Sequence, residues 1–121
     1  MRERTYIAKS RQLAQTQLTT ANATAVYDPP KNIRGAVRVI FVANYGTSAD
    51  TVSLFQDADG DTASNATVLF PNYSVNANSV GMVEIDIPGI IVDGSAGGSL
   101  YAKAANANTF TITVYGEEIT S

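Results

Sequence analysis

Three aspartates at alternate positions are the residues of this sequence best suited to chemistry. Asp57, Asp59 and Asp61 stand in the run FQDADGDTASNATVLF, and this spacing resembles the start of an EF-hand calcium loop. That loop also needs a glycine at its sixth position and a glutamate at its twelfth, where this sequence has Thr62 and Val68. The EF-hand interpretation therefore fails. An irregular calcium site stays open beside the simpler interpretation, a turn-rich loop between two strands.

The residue types that are missing exclude most catalytic chemistry. The sequence contains no cysteine and no histidine, which removes cysteine- and histidine-based zinc sites, thiol nucleophiles and triads with a histidine base. Catalysis by paired carboxylates needs neither residue type, but the acidic residues cluster in turn-like segments rather than at an evident cleft. We therefore expect no enzyme activity and no cofactor.

The length and hydropathy of the chain indicate one domain outside a membrane. The chain has 121 residues, of which 45% are hydrophobic, enough for a single core. No apolar run approaches the roughly 18 residues of a membrane span. The first twenty residues lack a continuous apolar segment, so we expect neither a secretory signal peptide nor a membrane partner.

The charges are divided unevenly along the chain. Residues 1–11 carry four basic side chains against one glutamate, a net charge of +3, whereas the remaining residues carry four basic and ten acidic side chains, a net charge of −6. Such a basic arm can bind nucleic acid, can be a solvated terminus, or can dock on an acidic surface of a neighbouring subunit. Four charges without a Gly- or Arg-rich context are a weak signal for nucleic-acid binding, and we expect no nucleic acid. The predicted subunit-contact residues are Arg2, Arg4, Lys9 and Arg11.

From residue 16 onward the sequence predicts one strand after another. Seven or eight apolar segments alternate with turn signals spaced about 8 to 12 residues apart, which is typical of an antiparallel β-sandwich or jelly roll. The predicted fold is therefore all-β, with an extended basic arm over residues 1–15 and one sandwich domain over residues 16–121. RGAVRVIFVANYG, apolar on both faces, is predicted to be a central strand.

Local patterns also predict strand partners and faces. TVSLFQ and NATVLFP flank the acidic loop and should form a hairpin, and SLYAKAANA should pair with NTFTITVYGEE. In SVGMVEIDI, we expect Val83, Ile85 and Ile87 on the buried face and Glu84 and Asp86 on the wet one. In the last strand, the predicted inward residues are Phe110, Ile112 and Val114.

Low charge favours an interaction surface over a pocket. Between residues 94 and 116 the only charged side chain is Lys103, although soluble monomers normally protect sheet edges with charges or prolines. We therefore expect part of this surface to be covered by symmetric partners. Six tyrosines and a threonine ladder leave a glycan-binding face as an alternative.

Three segments together resemble a known class of proteins. LTTANATAVYDPP, VANYGTSADTVSLF and LYAKAANANTFTITVYGEE follow one another as in small auxiliary virion proteins of tailed bacteriophages, a resemblance that covers residues 16–118. It implies β-sandwich subunits that assemble as trimers or rings. Such proteins decorate or cement the capsid, or form part of the tail.

Composition and resemblance together predict a non-enzymatic virion structural protein. We expect a capsid decoration or cement protein, assembled in the host cytoplasm and located on the capsid surface. The expected partners are the major capsid protein or other virion subunits and further copies of the chain, as a trimer. A tail or tail-fibre component, including a glycan-binding module, is the alternative.

Overall fold

The computed structural model describes residues 11–57, 63–64, 66–86 and 89–120, and this part of the chain is all-β. Nine strands form two antiparallel sheets, and a single 3₁₀ turn precedes the eighth strand. The strands are β1 (Arg11–Gln17), β2 (Thr24–Tyr27), β3 (Ile33–Asn44), β4 (Asp50–Asp57), β5 (Val68–Val75), β6 (Ser79–Glu84), β7 (Ile90–Asp93), β8 (Ser99–Ala104) and β9 (Phe110–Thr120). The predicted antiparallel β-sandwich is confirmed.

The strand order is that of a jelly roll. The first sheet runs β1-β9-β3-β6, and the second runs β2-β8-β4-β5. β7 pairs with the beginning of β3 and β6 with its end, while β9 pairs along almost the whole of β3. β6 and β7 therefore share one position, which leaves the eight strand positions of a jelly roll.

The core lies between the sheets and is almost entirely aliphatic. In β3, buried and outward-facing residues do not alternate strictly. Val37 and Ile40 are both fully buried although three positions apart, because the pairing of β3 with β9 shifts register between Val37 and Val39. A bulge of this kind turns the following residues to the opposite face. As predicted, Phe110, Ile112 and Val114 are fully buried.

One predicted strand pair is wrong and another is confirmed. β4 and β5 do form the predicted hairpin, with Leu54 opposite Phe70. β8 and β9, however, lie in different sheets, β8 between β2 and β4 and β9 between β1 and β3. The alternation of apolar residues determines which face of a strand is apolar, but not which strand it pairs with. Here the chain crosses from the second sheet to the first between β8 and β9.

The buried carboxylate of Asp50 holds that crossing in place. It accepts hydrogen bonds from the Asn106 backbone N–H and side-chain Nδ2, both at 3.2 Å, and from Thr109 Oγ1 at 2.6 Å. Asp50 is only 6% exposed. A carboxylate that accepts several bonds is stabilised in its buried position, so it ties the connection between β8 and β9 to the start of β4.

Part of the predicted basic arm belongs to the sandwich. Residues 11–15, assigned from sequence to the arm, lie in β1 at the edge of the first sheet. Residues 1–10 lie outside the described part of the chain. Within the described part, no helix is long and apolar enough to cross a membrane.

Candidate interaction surface

The outward face of the first sheet carries a row of apolar side chains where water would favour polar ones. Strand alternation points these side chains outward, and the registers of β3 with β6 and with β9 put them side by side. We call this set the outer strip. It consists of Val39, Phe41 and Ala43 on β3, Val80 and Met82 on β6, and Tyr115 on β9.

Exposure is concentrated on this face of the sandwich. Val80 is 61% and Met82 48% exposed, and Ile91 on β7 and Ile119 on β9 lie farther along the same face. These are four of the six large hydrophobic residues that are exposed in the described part. Single exposed hydrophobics are ordinary, but several on one face indicate a contact surface.

The outer strip is held in shape by its neighbours. The rings of Phe41 and Tyr115 meet edge to face with centroids 5.6 Å apart, a favourable geometry for aromatic pairs. On the side towards β1, Gln15 Nε2 donates to Thr113 Oγ1 at 3.0 Å. Beyond Tyr115 on β9, Arg38 Nη2 lies 2.9 Å from Glu117 Oε1. The strip is thus a preformed apolar surface bordered by polar side chains.

β6 combines this apolar face with an open edge. It pairs with β3 on one side only among the described strands, and its pairing contains no register shift. Its inward position at Gly81 has no side chain because the ring of Tyr73 fills that space: a Cβ there would lie 2.7 Å from the ring. β6 is therefore a regular strand, pressed against the second sheet, with neither charge nor proline before Glu84.

Sequence reasoning missed Val80 and Met82, although a signal was present. In SVGMVEIDI they stand at the same alternate positions as Glu84 and Asp86, the positions that we expected to be wet. Apolar residues thus occupy both the odd-numbered and the even-numbered positions of this segment. A strand that is apolar on both faces, yet lies at the edge of an antiparallel sheet, indicates a partner outside the chain.

Of the predicted contact residues, only Arg11 falls in the described part; Arg2, Arg4 and Lys9 lie outside it. The Arg11 guanidinium contacts Glu118 Oε1, and the hydroxyl of Tyr27 donates to Glu118 Oε2 at 2.6 Å. Tyr27 belongs to the second sheet and the other two residues to the first. This cluster therefore joins the two sheets at the β1 edge.

Burial of Tyr27, together with its hydrogen bond to Glu118 and the charge of that carboxylate, raises the pKa of the phenol above its ordinary value of 10.0. Above pH 10 the unfolded chain loses this proton while the folded chain keeps it, so the free energy of unfolding should fall as pH rises, by up to about 1.4 kcal/mol per pH unit. Urea unfolding between pH 8 and 11 measures this slope. Tyr27→Phe should have a shallower slope than the parent, and equal slopes would contradict the assignment.

The aspartates of the calcium hypothesis are only partly described. Asp57 is 1% exposed at the end of β4, opposite Ser99 of β8; Asp59 and Asp61 lie outside the described residues. Within residues 11–57, 63–64, 66–86 and 89–120, no group of three or more metal-binding side chains comes together. Calcium at this loop stays a hypothesis beside the simpler interpretation of a turn-rich loop.

The outward face of the second sheet carries an open groove of about 260 Å³. Phe55, Val68 and Pro71 contribute apolar surface, and Ser53 and Lys103 contribute polar groups. Lys103 is the one ionisable side chain in this lining.

Comparisons with known proteins add little. No family model and no curated protein sequence matches the chain. Among solved structures, the tobacco streak virus coat protein dimer is similar over 95% of this chain and 86% of that one, with 9% identity and a TM-score of 0.41. A likeness this distant carries no argument, so the fold assignment rests on the strand order and the candidate surface on its exposed residues.

Proposed function

We propose that this protein is a non-enzymatic virion structural protein, a capsid decoration or cement protein that binds assembled subunits through the outer strip. The observation that carries the proposal is the exposed apolar face of the first sheet. Apolar surface of this kind is costly for an isolated subunit and becomes favourable when a partner covers it.

The fold and the sequence support the same role. Jelly rolls form many capsid domains, although lectins and cupins share the architecture, so the fold alone is an analogy and not a function. The sequence resembles auxiliary virion proteins of tailed bacteriophages, which favours the capsid among these possibilities. The expected partners are the major capsid protein or other virion subunits, together with further copies of this chain as a trimer.

The mechanism is stabilisation by mass action. A subunit that binds only the assembled shell lowers the free energy of that state, by an amount that grows with the ratio of its concentration to its Kd. No group on the subunit has to react. The protein acts by covering surface on neighbouring subunits and by resisting their separation.

Reconstitution tests this function. Purified protein is added to virions that lack it, and bound protein is measured after sedimentation, followed by imaging at subunit resolution. We expect saturable binding at regular positions on the shell and a higher temperature of genome release. Binding to the tail alone would favour the tail alternative. Binding to host polysaccharide that Lys103→Ala abolishes would favour a glycan-binding module, and no binding to any virion would refute the proposal.

A further inference from the structure

We propose that the first sheet continues from one copy of the protein into the next, with the free edge of β6 pairing antiparallel to the free edge of β1 of a neighbouring copy. The inference rests on the proposed assembly role and names the contact between copies. Its starting point is that each of these strands has only one partner in the described part of the chain.

The four sheet edges of the sandwich, one of which β6 and β7 share, are protected to very different degrees. In the second sheet, β5 contains Pro71 and has Asn72 at a φ of 52°, and β2 has only four residues, followed by Pro29 and Pro30. Proline, irregular backbone and short length are the usual means of blocking an edge. β6 has the uncharged stretch Ser79–Val83 without proline or register shift. β1 has the uncharged stretch Gln12–Gln17 without proline, and its register with β9 shifts once, between Gln12 and Ala14. Both poorly protected edges thus belong to one sheet.

Strand direction makes these two edges compatible. β1, β9, β3 and β6 are successively antiparallel, so β6 runs opposite to β1. A neighbouring copy placed beside β6 in the same orientation therefore presents its β1 antiparallel to β6. The contact uses two different patches of each copy, a heterologous interface that closes into a ring when the rotation between copies allows it.

Charge complementarity favours this neighbour over a second β6. The registers place Glu84 level with Val39, Tyr115 and Gln12 across the sheet, so continuing the sheet sets Glu84 beside the start of the neighbour's β1. Arg11 begins that strand. Neither Glu84 nor the nearby Asp86 has an ion pair among the described residues. Arg11 contacts Glu118 of its own copy, and because its side chain is still 60% exposed, its guanidinium can contact Glu84 of the adjoining copy as well.

The alternative pairing of β6 with a second β6 gains nothing from these charges. Antiparallel β6 strands related by a two-fold axis place Glu84 opposite the uncharged beginning of the other strand. Each copy carries a net charge of −3, so two copies repel each other unless opposite charges meet at the contact. Of these two pairings, only that of β6 with β1 brings opposite charges together.

Cysteine pairs test the contact directly because the chain has no cysteine of its own. Within one chain, the registers place Met82 level with Phe41, Thr113 and Gln15. The proposed contact continues the sheet without a stagger, which places Met82 opposite Gln15 of the next copy. Within one chain, Met82 and Gln15 are separated by β3 and β9, three strand spacings or roughly 14 Å, beyond the reach of a disulfide. A disulfide between Met82→Cys and Gln15→Cys must therefore join two copies.

The experiment mixes the two single variants under mild oxidation and analyses them on non-reducing gels and by mass spectrometry. We expect a mixed disulfide dimer in at least tenfold excess over the control mixture of Leu69→Cys with Gln15→Cys, since Leu69 is an exposed residue of the other sheet. The variant that carries both cysteines should give closed oligomers. A yield no higher than the control overturns the inference, as does Met82→Cys cross-linking to itself as efficiently as the mixture does.

Charge substitution provides the second measurement. Glu84→Lys should shift the oligomer towards monomer by several-fold in light scattering, and Glu84→Gln should have a smaller effect. Cross-linking with no binding to virions would refute the proposed function and leave the edge contact standing. Virion binding without cross-linking would refute only the edge contact.

Discussion

Replacing Gly116 by alanine should lower the free energy of unfolding by about 3 kcal/mol. Gly116 lies in β9 beside Val37 of β3, and a Cβ at this position would lie 2.0 Å from the carbonyl oxygen of Ala36. Its three nearest neighbours are all backbone atoms of β3. No side-chain rotation relieves such a contact, so the two central strands have to move apart next to the bulge that sets the register of the core.

Urea unfolding measures this effect through the midpoint and slope of the transition. Gly46→Ala is the matched control, because a Cβ there meets only side-chain atoms, the nearest at 3.2 Å. It should cost less than about 1 kcal/mol. A Gly116→Ala protein as stable as this control would show that β3 and β9 adapt to the methyl group, contrary to the close approach in the structure.

Replacing both Val80 and Met82 by lysine should weaken binding to the virion by at least about a hundredfold, equivalent to roughly 3 kcal/mol. Both side chains lie in the outer strip, and a buried ammonium without a partner is costly. Because Val80 is 61% and Met82 48% exposed in the free subunit, the substitutions should change its folding stability by no more than about 1 kcal/mol. Sedimentation with virions measures the loss of binding, and urea unfolding confirms the fold.

Leu69→Lys is the matched control for this pair. Leu69 is a comparable aliphatic residue, 38% exposed on β5 of the second sheet. Its substitution by lysine therefore adds charge and lowers hydropathy, as in the double variant, but on another surface. We expect it to bind virions as the parent does. Equal weakening by Leu69→Lys would point to a general effect of charge, and undiminished binding of the double variant would remove the outer strip from the contact.

The basic arm and the outer strip were recognised from different kinds of information, the first from the sequence and the second from the structure. The basic arm stands out as a charge asymmetry in the sequence, yet the one predicted contact residue in the described part, Arg11, is already engaged with Glu118. The outer strip has no motif. Val80 and Met82 become a surface only when β6 is known to lie at an edge, with Phe41 of β3 beside it.

The alternation of apolar and polar residues was sufficient, by itself, to determine that this chain forms an antiparallel β-sandwich. It also located the hairpin of β4 with β5 and the buried face of β9, because those features depend on neighbours close in sequence. Hydrophobic burial requires only that apolar residues share a face.

Tertiary structure alone decided which strands that are distant in the sequence became neighbours. β8 and β9 separate into different sheets, the bulge after Val37 reverses the faces of β3, and β6 is left at an edge. These outcomes depend on contacts between residues far apart in the chain, such as the carboxylate of Asp50 with Asn106 and Thr109. Local periodicity carries no information about such contacts, since many partners satisfy the same pattern and only the packing of the whole core selects one.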